Sequence, residues 1–190
     1  MRDQVTCEVA AQIELFCAAF PAQRDHLRVD SHQHFHMIPA VFDGVVAAVD
    51  QTGCALEYLR IPAEPTRPFS RSHKLGAVKP INWVKHIVLN TLWKANRRKV
   101  PGLKERAGVF CGINFSGTMS ADNVRGVLDE FKRMASEQAR PLELLFHPGG
   151  IDDPAECLNP SLPGFVAFYQ SPGRSDEAEA LTALEAELNS

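Results

Sequence analysis

The chain has 190 residues, 45% hydrophobic and 23% charged, with a formal net charge of −3. That is enough for one domain with a sizeable core and hardly enough for two. The weak acidity gives no basis for nucleic-acid binding, no apolar run reaches membrane-spanning length, and MRDQVTCEVAAQ does not resemble a signal peptide, so a cytoplasmic protein without nucleic-acid or membrane partners is expected.

Residues 3–20 carry Val5, Val9, Ile13, Cys17 and Phe20 at helical spacing. A strand is predicted over Leu27 to Phe35, then a helix from Pro39 to Thr52 with Val41, Val45 and Val49 on one face. Pro39 near its start and Gly53 just past its end fit the usual helix punctuation. A strand through Glu57 to Ile61 follows, and residues 62–80, rich in Pro, Arg and Ser, read as a long surface loop of the kind that forms lids or binding segments. Ile81 to Arg98 returns to helical spacing through Val84, Ile87, Val88, Leu92 and Ala95, and Arg97, Arg98 and Lys99 read as its solvated end. Strands are predicted over Val109 to Ile113 and Leu142 to Phe146. Between them Ser120 caps a helix carrying Val124, Val127, Leu128, Phe131 and Met134, and Ser175 caps a last helix with Leu181, Leu184 and Leu188. Helix and strand alternate, which favours an α/β fold with a mainly parallel sheet, although four strands are too few for a closed eight-stranded barrel.

Within VDSHQHFHMIP, Asp30, His32, His34 and His36 alternate, so on a strand they share one face, at the carboxyl end where α/β enzymes build their sites. Imidazoles beside a carboxylate suit a divalent metal or proton transfer, and burying them unpaired would be costly. A lone strand His is usually structural, and His36 is the member best read as capping the strand end. A second strand ends in His147, followed by Pro148-Gly149-Gly150 and the pair Asp152 and Asp153. Parallel strands present their carboxyl ends on one side, so His147 is expected to face the first cluster.

Arg60, near a predicted strand end, is suited to hold an anionic or carbonyl oxygen, or else pairs with Glu57 or Glu64. Glu64 and His73 lie on the long loop, within possible reach of a substrate, and Trp83 and Trp93 read as packing. Five scattered cysteines (Cys7, Cys17, Cys54, Cys111, Cys157) without a CxxC pair argue against a disulfide framework. No P-loop, GxGxxG, GxSxG or HExxH occurs, so nucleotide-binding and serine-hydrolase readings lack support.

The runs AAQIELFCAAFP, HLRVDSHQHFHMIPAVFDGVVAAV, LRIPAE, ELLFHPGGIDD and FYQSPGRSDEAEALT together resemble the YdjC family of carbohydrate deacetylases. The resemblance implies a distorted (β/α) barrel, here a partial one, and hydrolysis of N-acetyl groups from amino sugars or chitooligosaccharides with a divalent metal, Mg or Zn. It implies that His32 is a metal ligand, that His34 supports metal or substrate, that Asp30 orients or acts as base, and that His147 acts as acid or stabilises the oxyanion. The family's earlier block, an Asp-Asp pair and a GxHL-type His, has no counterpart before Asp30, so an N-terminally truncated single domain over 1–190 is expected. Three alternatives follow: an inactive sugar-binding pseudoenzyme, a subunit whose open sheet edge drives self-association, and an amidohydrolase-like metallohydrolase using the HxH.

Overall fold

The computed structural model describes residues 2–103 and 105–188. In chain order it forms α1 (Arg2–Ala19), β1 (Leu27–Val29), α2 (Pro39–Thr52), β2 (Leu56–Leu59), α3 (Arg67–Arg71), α4 (Pro80–Asn96), β3 (Val109–Cys111), α5 (Ala121–Glu137), β4 (Leu142–Leu144), α6 (Pro163–Tyr169) and α7 (Pro172–Leu188). Short 3-10 turns occupy Pro21–Asp25, His32–Met37, Leu75–Ala77 and Pro154–Glu156. The fold is α/β, and the described strands form two separate two-stranded sheets, β1-β2 and β3-β4. Among the described residues no helix is long and apolar enough to cross a membrane.

The chain divides into two compact units. The first comprises the chain through Ala63, then His86–Val109 and Ala135–Pro141; the second comprises Glu64–Lys85, Phe110–Met134 and the chain from Leu142 onward.

In the first unit, α1 lies along α2, burying Ala10, Ile13 and Cys17 against Leu27, Ala48, Val49 and Cys54. The approach is close: a Cβ added to Gly44 would fall 2.7 Å from Val5 Cγ1 and 3.2 Å from the Arg2 carbonyl. Gly53 adopts the left-handed conformation (φ 66°) that ends α2, a position where an L side chain is disfavoured. β1 and β2 pair in parallel, with a register shift between Leu27 and Arg28. Beneath them Met37, Phe42, Leu59, Ile61, Leu103 and Ala107 form a second core, which Leu89 and Trp93 of α4 cover. Each such large apolar side chain contributes roughly 1.5–3 kcal/mol on burial.

In the second unit the Phe69 ring meets Phe115 at 5.0 Å and Phe131 at 5.8 Å, both edge-to-face. The expected stripe of α5 is buried at Val124, Val127, Leu128 and Phe131, and Ser120 caps that helix through Asn123 N–H at 3.3 Å.

Several expectations need correction. The predicted strand over Leu27 to Phe35 stops at Val29, and the His-rich run that follows is a 3-10 turn. Helix α4 exists, but Val84 and Ile87 on its expected apolar stripe are 55% and 61% exposed. Its buried stripe is instead Asn82, His86 and Asn96, with Leu89 and Trp93 between them. The two buried asparagines are held inside by hydrogen bonds: Asn82 Nδ2 donates to the carbonyls of Asn114 and Ser116, both at 3.0 Å. Asn96 Nδ2 donates to the Met37 carbonyl at 2.7 Å. Ser175 lies inside α7, which begins at Pro172, and the short helix α6 was not anticipated. Residues 62–80 contain α3 and a 3-10 turn.

Candidate active site

The sequence after β1 is short of strand formers and holds two residues in a conformation no strand allows. Gln33 (φ 51°, ψ 23°) and His34 (φ 60°, ψ 27°) are both left-handed. For residues other than glycine that costs roughly 1–2 kcal/mol each, and such strain persists where surrounding structure enforces it. The enforcing contacts are visible. Ser31 Oγ accepts from His36 N–H at 2.9 Å and stands 2.7 Å from His36 Nδ1. On the other side of the ring, His36 Nε2 is 2.7 Å from the Arg60 carbonyl. A carbonyl only accepts, so Nε2 carries the ring proton and Nδ1 accepts from the Ser31 hydroxyl. Burial holds the His36 imidazole below its ordinary pKa, and the Arg60 carbonyl only partly offsets this. His36 is therefore a neutral, fully hydrogen-bonded strut tying the turn to the end of β2.

The alternation argument for one shared face fails with the strand. His32 is exposed, His34 half-buried and His36 buried at 1% exposure. The His34 and His36 rings stand edge-on, 6.5 Å apart. Asp30, just past β1, forms an ion pair with Arg60, just past β2, their side chains 38% and 24% exposed. Arg60 thus pairs with Asp30. The parallel β1-β2 pairing is what brings Asp30 and Arg60 to the same end of one sheet.

In the second unit His147 lies three residues beyond β4. Its backbone N–H donates to Glu177 Oε2 at 2.5 Å, and its Nδ1 stands 3.6 Å from the same oxygen. Glu177 Oε1 accepts from Gly117 N–H at 3.0 Å, so one buried carboxylate ties together the chain following β3 and the chain following β4. Burial alone would raise the Glu177 carboxyl; the imidazole and backbone N–H of His147 and the Met119 backbone outweigh it and hold the pKa below its ordinary value. The sequence carried a signal for Glu177: it falls in phase with the buried positions Ala180 and Leu184 of α7, an acidic residue on an apolar stripe. Ser31 and Asn96, which brace the His-rich turn, gave no comparable signal.

Glu64 does not reach outward from a loop. It is buried at 1% exposure, accepting from Gly112 N–H at 2.6 Å and Asn114 N–H at 2.7 Å, so it anchors the chain leaving β3. His73 is exposed and left-handed (φ 57°). Asp153 caps the Pro154–Glu156 turn, and Asp152 is exposed.

Among the described residues, no group of three or more His, Cys, Asp or Glu side chains is disposed to hold a metal ion. Asp30 is engaged by Arg60, and both ring nitrogens of His36 are hydrogen-bonded. These donors do not by themselves compose a metal centre.

The pieces are those of an α/β protein with an imidazole-rich turn braced at the end of a parallel strand. The family model for YdjC-like proteins matches residues 1–187 of the 190, and the chain belongs to that family, a group of carbohydrate-deacetylase-like proteins. Comparison with curated proteins and with solved structures finds no match.

Proposed function

We propose that the protein is a hydrolase that removes N-acetyl groups from amino sugars or chitooligosaccharides, on a partial (β/α)-barrel scaffold. The observation that carries this reading is the family match across residues 1–187. The strained, multiply braced turn at Asp30–Met37 supports it, because backbone held in costly conformations clusters at functional sites.

In the proposed reaction a water attacks the acetyl carbonyl and Asp30 takes its proton. Arg60 and His34 hold the amide oxygen as it gains negative charge. His147 gives a proton to the departing nitrogen, the C–N bond breaks, and acetate and the free amino sugar are the products. His32, the exposed imidazole of the turn, is the residue that would hold the divalent cation the family resemblance implies. Dependence on Mg or Zn is the expectation of the family resemblance, and chelation tests it.

The test is release of free amine from N-acetylglucosamine oligomers. The wild-type chain is expected to release it, with His32→Ala inactive and His147→Ala slowed about 10²–10⁴-fold, the usual contribution of a general acid. Loss of turnover on chelation and recovery with added Mg or Zn would assign the cation. Turnover unchanged in both variants would overturn the residue roles, and absent turnover with every added cation would leave only the family assignment. The Asp30–Arg60 ion pair, which already satisfies the proposed base, favours one second reading, a sugar-binding protein that does not hydrolyse.

A further inference from the structure

Cys17 and Cys54 take no part in the proposed chemistry, yet their sulfurs lie 3.8 Å apart inside the first unit, at 3% and 8% exposure. Cys17 is in the last turn of α1. Cys54 directly follows Gly53, in the turn between α2 and β2. Both sit at element ends, outside the strand ladder, and a disulfide would bring the sulfurs from 3.8 Å to roughly 2.05 Å.

We propose that Cys17 and Cys54 are a disulfide-forming pair that responds to peroxide-class oxidants. Cys54 is the less buried, and the guanidinium of Arg24 stands 3.9 Å from its sulfur while also donating to the Thr52 carbonyl at 2.9 Å. Peroxide oxidises the Cys54 thiol to a sulfenic acid, releasing one water. The Cys17 sulfur then attacks the Cys54 sulfur and the S–O bond breaks. The departing hydroxide takes the Cys17 proton and leaves as a second water. The two thiols together lose two electrons and one peroxide is reduced. The bond fastens the end of α1 to the start of β2, closing a loop between residues that are 37 apart in sequence. Burial raises the Cys17 thiol as it does Cys111, so the close approach of the two sulfurs is what sets this pair apart. Cys7 is exposed, and Cys111 and Cys157 are buried.

The experiment treats the full chain carrying Cys7→Ser with hydrogen peroxide, blocks remaining thiols with N-ethylmaleimide in denaturant, and digests without reductant for mass spectrometry. The expected result is a peptide linked through Cys17 and Cys54, cleaved by dithiothreitol, absent in Cys54→Ser, with a melting temperature raised by several degrees. Should Cys54→Ser fail to fold, Cys17→Ser serves as the same control. Recovery of both residues as alkylated thiols, as unlinked sulfinic acids, or in links to other cysteines would overturn the pairing.

Discussion

Gln33 adopts a left-handed backbone, a cost that glycine would not bear. Gln33→Gly relieves roughly 1–2 kcal/mol of strain and returns part of it as unfolded-state entropy. Chemical denaturation is therefore expected to show a variant as stable as the wild type or up to about 1 kcal/mol more so. A loss of stability would mean that the Gln33 side chain itself holds the turn. His36 gives a second test at this scale. Its folded pKa lies below the unfolded value of about 6.5, so the unfolded chain binds the proton more readily and acid favours unfolding. Its contribution is fully retained above that pH and is lost as pH falls from there toward the folded pKa, at no more than about 1.4 kcal/mol per pH unit. Melting temperatures between neutral and mildly acidic pH are expected to drop in the wild type, and the part owed to this ring is expected to vanish in His36→Gln.

At the scale of elements, the helix-on-helix contact of the first unit rests on the missing side chain of Gly44. Gly44→Ala gains about 1 kcal/mol of helix propensity. It must also displace Val5 Cβ and the Arg2 carbonyl, neither a flexible chain end, and overpacking of that kind costs about 1–3 kcal/mol. A net loss of about 1 kcal/mol in urea unfolding is expected, and a gain would show that α1 moves freely over α2. The elements themselves were largely legible in the sequence. Apolar spacing located α1, α2 and α5, and Gly53 and Ser120 marked ends that the structure bears out. Periodicity failed where burial is polar. Asn82, His86 and Asn96 form the inner face of α4, and a rule that counts only apolar residues assigns that helix the wrong face. It failed again at the His-rich run, because alternation of side chains looks the same whether the backbone extends or coils. Only Ser31 and the Arg60 carbonyl, 24 residues beyond His36, settle which it does.

At the scale of the whole molecule, the chemistry-bearing residues were legible as residue types, while their surroundings were not. Asp30, Arg60 and the histidines of the turn belong to the first unit, and His147 with its Glu177 support belongs to the second. Asp30 meets Arg60 only through the parallel register of β1 on β2, and Glu177 meets His147 only through the return of α7, both contacts between distant parts of the sequence. Family membership supplies the chemistry these groups are read to perform. The most direct measurement is mass spectrometry of an N-acetylglucosamine oligomer incubated with the full chain, alongside a titration of its binding. The expected result is an oligomer lighter by one acetyl group, formed by the wild type and not by His32→Ala. An oligomer that binds the protein and is recovered intact under every cation tried would contradict a deacetylase.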